Sequence, residues 1–435
     1  MKRNLICVCS TLIAGASLAF AQDAPKASQA MVVIHAGGLL AEPGEAPLRE
    51  QTVVVTDGRI VAVDAGYQAP TRYGSGAQLI DLKDRFVLPG LIDLHKHIAI
   101  PLDADAATFA SEARLALAAA AVARAVLHAG VTTVRDAGDN TGVSFAVRDA
   151  INAGVIEGPR IFAAGRIISR TGGHGALKAA FGELDYPRGG CDGAESCRRV
   201  VRENIEAGSD WIKVAVSGSG GEATGQADAD PIMLPEEVGA VTQAARQARR
   251  PVVAHAHSTA AINLALESGA RTIDHGAYFD TTSVRLFKAK GAFLVPTAYV
   301  AEFVSTQLER FSGMPGRMPQ QDLKRWTQAA MANPGRAWRS GIRMGVGSDS
   351  GSRADAHATA REIELFVASG VPAAEAIKAA TATGAEILEM QDRLGRIRPG
   401  FEADLIAVTG DPTQDASRLR TVSFVMKGGA VSKGP

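Results

Sequence analysis

The sequence predicts an α/β protein: a (β/α)8 TIM barrel with a small discontinuous β-sandwich domain built from both chain ends. Three observations carry this reading. Eight short runs rich in Val, Ile and Leu recur from about residue 86 and read as buried strands, with amphipathic or Ala-rich stretches between most of them. Several runs end in a polar, ligand-type residue, the way strands of a barrel present an active face at their C-terminal ends. At both chain ends the pattern changes to β-segments separated by Gly and Pro turns.

Residues 1–21 read as a signal peptide. Lys2 and Arg3 supply positive charge, Leu5 to Phe20 is apolar, and Ala19-Phe20-Ala21 offers a cleavage site after Ala21. The apolar run is short for a membrane span, and no later run is long and apolar enough for one. The expected location is therefore periplasmic or secreted, with no membrane attachment after cleavage. Residues 22–85 form the N-terminal part of the β-domain, with Asp57-Gly58 as a hairpin turn. Residues 86–388 carry the eight strand–helix units: FVLPGLIDLHKH, VTTVRDAG, PRIFAAGRIIS, WIKVAVSG, PVVAHAHS, TIDHGAYF, AFLVPTAY and RMGVGSDS. Residues 389–435 return to β-segments and complete the flanking domain.

The chain has 435 residues, 46% of them hydrophobic, enough for a large core and a smaller one. Its 46 basic and 46 acidic side chains cancel, and only 5% of residues are aromatic, which argues against a nucleic-acid partner. Cys7 and Cys9 lie in the signal; Cys191 and Cys197 remain as an even pair that could close a small disulfide loop in an exported protein.

Side chains at i and i+2 of a strand share a side, so His95 and His97 can reach one metal ion together. Lys96 then points away, between strand and helix, where it needs an acidic partner. His255 and His257 repeat the spacing. His257 is open between binding substrate, stabilising an oxyanion and packing behind the site. His275 ends a strand, and Asp349 follows the last one, where a carboxylate could bind metal and carry protons. Lys213 in WIKVAV is costly to bury unless paired or modified. A buried amine of lowered pKa can take up carbon dioxide as a carbamate, whose two oxygens can bridge two cations; an acidic partner inside the barrel is the alternative. His174 lies in a Gly-flanked loop, open between ligand contact and solvent. SGSGG after Lys213 could offer backbone N–H groups to a carboxylate. Arg135, Arg170 and Tyr299 are weaker candidates for substrate recognition. His35, His128 and His357 read as structural.

Together VLPGLIDLHKH, the lysine of WIKV, the histidines of VVAHAHS and TIDHG, GSDSG, AIKAATATGAEIL and GRIRPGFEADLIAV resemble the metal-dependent amidohydrolase superfamily over nearly the whole mature chain. TGGHG, VSGSGG and HAHS are similar to the branch of imidazolonepropionase-like proteins, Xaa-Pro dipeptidase-type carboxypeptidases and ochratoxin-hydrolysing amidases. The resemblance implies that His95, His97 and Asp349 hold one metal, that His255 and His275 hold a second, and that N6-carboxylated Lys213 bridges them. It implies two divalent ions, zinc being the usual metal. It also implies a small-molecule amide substrate, such as a dipeptide or N-acyl amino acid. In that reading Asp349 moves the proton, with His257 or His174 stabilising the oxyanion. Family members often assemble, which leaves a homo-oligomer open. The alternatives are an imidazolonepropionase-like cyclic amidase, a mononuclear deaminase, a lactonase or phosphotriesterase, and a binding protein without activity.

Overall fold

A computed structural model describes residues 31–100, 111–175, 189–219, 222, 225–312 and 318–435. The expected signal peptide, with Cys7 and Cys9, lies outside the described residues.

Both chain ends meet in one seven-stranded sheet. Its strands are β1 (Val32–Leu39), β2 (Leu48–Thr56), β3 (Arg59–Ala65) and β4 (Gln78–Pro89) from the N-terminal part. Near the C-terminus lie β12 (Leu405–Val408), β13 (Val422–Lys427) and β14 (Ala430–Lys433). The order is β14-β13-β12-β4-β1-β2-β3, antiparallel except where β1 runs parallel to β4. Alternate residues of β1, β2, β12 and β13, among them Ile34, Ala36, Val53, Val55, Leu405, Ala407, Phe424 and Met426, share one buried core with Ile397 and Phe401. Among the described residues the expected two-sheet sandwich is therefore hydrogen-bonded as a single sheet.

Between the two parts run two parallel arcs. One is β5 (Leu91–Lys96), β6 (Val131–Asp136) and β7 (Arg160–Ala163), in that order. The other is β8 (Ile212–Ala215), β9 (Val252–Ala256), β10 (Thr272–His275) and β11 (Phe293–Val295). Helices such as Glu112–His128, Pro235–Gln247 and Thr259–Ser268 alternate with the strands and bury apolar faces that include Leu115, Val122, Val126, Val238, Val241, Ile262 and Leu266.

Three predicted strands differ in detail. FVLPGLIDLHKH is cut at Gly90: FVLP ends β4 in the flanking sheet, and only LIDLHK belongs to the arc. A Cβ at Gly90 would stand 2.2 Å from Thr132 Oγ1, so the chain crosses from one layer to the other where only glycine fits. PRIFAAGRIIS bends after Ala163, with Gly165 at φ +69°, and resumes as a bridge from Ile168 to Val214. RMGVGSDS is extended but forms no regular strand. It is held on one side by β11, through Leu294 N–H to Arg343 O (3.0 Å) and Gly345 N–H to Leu294 O (3.0 Å). On the other it meets β5, through Leu94 N–H to Val346 O (2.8 Å) and Asp349 N–H to His95 O (2.7 Å).

Cys191 and Cys197 form a disulfide. No described helix is long and apolar enough to cross a membrane.

Candidate active site

The site is assembled where the arcs end. His95 and His97 leave β5 on the same side, and hydrogen bonds to β5 bring Asp349 opposite them. His95 Nε2 lies 3.3 Å from His97 Nε2 and 3.4 Å from Asp349 Oδ1, and His97 Nε2 lies 3.3 Å from the same oxygen. The other nitrogen of each ring is engaged elsewhere. His97 Nδ1 donates to Gly138 O (2.9 Å), a carbonyl that can only accept, so the His97 lone pair sits on Nε2. His95 Nδ1 lies 2.7 Å from Asp274 Oδ2. Carboxylates and carbonyls commonly orient metal-binding histidines in this way. Burial favours a neutral Asp349 carboxyl, but His95, His97 and Lys213 outweigh it and hold the group well below the usual carboxylate range. Burial lowers the His95 pKa, whereas for His97 the Asp349 contact overcomes burial and raises it.

Consecutive residues Asp274 and His275 both serve the site, although alternation along a strand would turn one of them away. Backbone geometry explains this: His275 takes φ +72°, Thr297 φ +54° and Asp349 φ +52°, left-handed values that non-glycine residues adopt at a cost. The Thr297 hydroxyl donates to Pro296 O and accepts from His275 Nδ1 at 2.6 Å, leaving the His275 lone pair on Nε2. His255 Nε2 faces Gly218 O at 3.0 Å, which leaves its lone pair on Nδ1. Burial, followed by cationic neighbours, drives both rings well below ordinary histidine pKa values. Donor atoms of His255, His257 and His275 all lie within 4.8 Å of one another, as do those of His95, His275 and Asp349, so His275 belongs to both groups.

Lys213 Nζ is buried and has no hydrogen-bond partner; Asp274 Oδ2 is 3.8 Å away. Burial, opposed by Asp274 and assisted by Arg135, pulls its pKa down to about 8. Asp274 is committed elsewhere: Arg135 Nη2 donates to both of its oxygens at 3.0 and 2.8 Å, and Thr272 Oγ1 adds a bond at 3.0 Å. Burial alone would raise Asp274, but Arg135 and His95 keep it ionised.

His95, His97, Lys213, His255, His275 and Asp349 line a cavity of about 270 Å³ together with His174, His257, Ser219 and Tyr299. His174 stacks on His255 with ring centroids 4.2 Å apart. His257 stacks on His275 at 4.7 Å, and Trp326 Nε1–H points at its Nδ1 from 3.3 Å. Burial, then His174, pushes the His257 pKa down to about 3, so the ring is neutral. Tyr299 bonds Asp355 Oδ1 at 2.8 Å. The opposite wall is apolar and includes Ile167, Phe303, Val304, Phe311, Leu323 and Trp326.

Three expectations change, and one, for Lys96, is met. Arg135 is fully buried behind the site, where it holds Asp274, Leu94 O and Thr272 and lies over the Trp211 ring; it is not a substrate clamp. Arg170 is exposed and does not line the cavity. Lys96 is buried and bonds Ser350 Oγ (2.5 Å), with the acidic partner it needs, Asp93, at 3.8 Å. In SGSGG the Ser219 N–H is already taken by Glu222 Oε2 (3.1 Å), and the Gly218 carbonyl faces His255. Sequence reasoning missed Asp274, Thr297 and Trp326. A buried arginine in VTTVRDAG was the available sign that an inward acid must exist.

A metal ion fits the residues present. A tetrahedral ion with ligand bonds of about 2.0–2.1 Å needs ligand–ligand edges of about 3.3–3.4 Å. The triangle of His95 Nε2, His97 Nε2 and Asp349 Oδ1 has edges of 3.3, 3.4 and 3.3 Å. The model of the Amidohydrolase family matches residues 86–434. The chain belongs to the amidohydrolase family. Members of this family are generally metal-dependent, and the chain is a hydrolase acting on amide bonds. It is 32% identical over 439 residues to ochratoxinase of Aspergillus niger, covering 93% of this chain and 87% of that one. Among amidohydrolase-like structures, a Xaa-Pro dipeptidase with methionine bound in the active site superposes with a TM-score of 0.84 at 31% identity, covering 93% and 100% of the two chains. A prolidase complexed with N-methylphosphonate-L-proline gives a TM-score of 0.80 at 30% identity, with the same coverage.

Proposed function

We propose that the chain is an exported binuclear-metal amidohydrolase that cleaves the amide bond of dipeptides or N-acyl amino acids bearing a bulky apolar group. The observation that carries this reading is the His95–His97–Asp349 triangle, whose edges suit a tetrahedral cation. His95, His97 and Asp349 would hold one ion. His255 through Nδ1 and His275 through Nε2 would hold the other. Zinc suits imidazole and carboxylate donors. Lys213 carries an N6-carboxylate in this reading: its amine nitrogen bonds the carbon of carbon dioxide and loses a proton. Burial of an amine with no hydrogen-bond partner supports that assignment.

When bound, such ions polarise the amide carbonyl and lower the pKa of a shared water. Asp349 starts ionised and receives the proton of the attacking water as the new C–O bond forms. It returns that proton to the amide nitrogen as the C–N bond breaks. His257 and His174 donate toward the developing oxyanion. Phe303, Phe311 and Leu323 shelter the apolar group and exclude water. The names of the relatives, an ochratoxinase and a Xaa-Pro dipeptidase, support an amide substrate of this kind.

The two arcs fit a closed (β/α)8 barrel: Ile168–Val214 joins one end of the arcs, and residues 343–350 join β11 to β5 at the other. The Cys191–Cys197 disulfide supports export to an oxidising compartment, in line with the signal at residues 1–21. Metal analysis and hydrolysis of an apolar dipeptide panel test the reading. Two equivalents of metal per chain and loss of turnover with chelator are expected. Asp349→Asn should retain most of the metal and lose roughly a hundredfold or more in kcat. Full activity after chelation, or in Asp349→Asn, overturns it. Turnover of lactones or phosphotriesters without amides would transfer the assignment to those substrates.

A further inference from the structure

Trp326 lies on the helix Gln320–Met331, part of the helical segment that follows β11 and covers the cavity. Its ring is almost wholly buried and packs edge-on against His257, with centroids 5.7 Å apart and planes at 71°. The indole nitrogen has a hydrogen and no lone pair to offer, so it can only donate. Its partner at 3.3 Å, His257 Nδ1, must accept. A neutral imidazole that accepts at Nδ1 carries its hydrogen on Nε2. The backbone of the same residue is tied separately, His257 N–H donating to Ser217 Oγ at 2.9 Å, and the Trp326 contact fixes which ring nitrogen carries the hydrogen.

The neighbouring histidines are tied in a different sense. His255 and His275 each spend an N–H on a fixed oxygen, Gly218 O or Thr297 Oγ1, and keep a lone pair for a cation. His257 spends its lone pair on Trp326 and keeps an N–H. Three buried histidines in one cluster are thus divided into two acceptors and one donor by what lies behind each ring.

We propose that Trp326 is a positioning residue for amide hydrolysis: it holds His257 in the Nε2–H tautomer, so that His257 donates to the substrate instead of ligating metal. This rests on the hydrolase reading above and adds to it a division of labour that sequence spacing cannot give, since His255 and His257 are equivalent by spacing. It also couples specificity to chemistry, because the ring that orients His257 is part of the apolar wall that the substrate meets.

The test uses zinc-loaded enzyme labelled with 15N-histidine. Long-range 1H–15N correlation reads the tautomer of His257, assigned by comparison with His257→Gln. The wild type should show the Nε2–H form. Trp326→Phe keeps an aromatic ring and removes the donor; it should give a mixture of tautomers, unchanged metal content, and kcat lower by roughly ten- to a hundredfold with KM changed less. Leu323→Ala perturbs the same helix but keeps the indole N–H; it should raise KM for bulky substrates and leave the tautomer alone. In the double variant Trp326→Phe/His257→Gln, the second change should cost little beyond His257→Gln alone. The proposal is overturned if Trp326→Phe keeps both the Nε2–H form and full kcat. It is equally overturned if His257→Gln loses metal, which would make His257 a ligand. If the wild type hydrolyses no amide, the hydrolase reading fails, while the tautomer measurement still decides the role of Trp326.

Discussion

Lys96 separates two metal-type histidines, and its burial shows how the site is braced from behind. Its ammonium reaches Ser350 Oγ and stands near Asp93, whose carboxylate also accepts from His95 N–H (3.0 Å), Ser348 N–H (3.1 Å), Ser348 Oγ (2.7 Å) and Thr359 Oγ1 (2.6 Å). One cation thus ties the strand carrying His95 and His97 to the segment carrying Asp349. Removing one member of a buried pair leaves the other charged and uncompensated, at a cost of about 3 kcal/mol. Lys96→Met should lower the thermal midpoint accordingly, and Lys96→Met/Asp93→Asn should recover part of the loss. An unchanged midpoint in the single variant would sink this account. From sequence, Lys96 was legible as a residue needing an acid, because burying an ammonium demands one. The residues that close over it were not, because alternation says which side a residue leaves a strand, not what covers that side. Asp274 failed for the complementary reason: the left-handed backbone at His275 breaks the alternation on which the reading relied.

At the scale of elements, the disulfide loop acts on the site through a loop it does not belong to. Asp192, inside the Cys191–Cys197 ring, accepts from Thr171 N–H (3.1 Å) and Thr171 Oγ1 (2.6 Å), and Cys191 N–H donates to Ser169 O (2.8 Å). Those bonds fix the start of the TGGHG turn that brings His174 onto His255. Closing so short a ring removes about 2 kcal/mol of unfolded-state entropy in the chain-entropy model. Cys191→Ser/Cys197→Ser should therefore lose about that much stability, and its kcat should fall several-fold while metal content holds, since His174 is displaced and the metal-type ligands are not. Stability loss with undiminished kcat would separate the disulfide from catalysis. The pairing was legible as an even cysteine count in a chain expected to be exported, and the ligand-bearing strands were legible from their apolar runs. The helical cover over residues 298–312 and 318–339 was not, because AFLVPTAY marks where a strand ends but nothing in its spacing shows that the following helices return Phe303, Leu323 and Trp326 to the cavity.

Across the whole molecule, chemistry and cohesion occupy opposite ends of the parallel strands. The joining of both chain ends was readable from the return of β-segments after Leu388; the way they seal to the arcs was not, because it depends on ion pairs spanning more than 240 positions. Arg160, at the start of β7, donates to Asp404 Oδ2 (2.8 Å), Glu402 and Thr133 Oγ1 (2.9 Å). Asp404 in turn accepts Gly428 N–H at 2.7 Å and, through its carbonyl, Gly90 N–H at 2.9 Å, the residue where the chain passes from β4 to β5. Lys427 Nζ adds a bond to Gly158 O at 2.6 Å. Metal-type ligands gather at the other ends of the strands, where loops can vary without disturbing this seal. Replacing the arginine leaves Glu402 with Arg393 and Asp404 with Gly428, so part of the network survives. Arg160→Met should therefore cost about 3 kcal/mol or somewhat less. Its thermal midpoint should drop while kcat, KM and metal content at 25 °C stay at wild-type values. A proportional loss of kcat in the folded variant would mean that the sheet and the catalytic face are mechanically coupled, and that the seal serves more than cohesion.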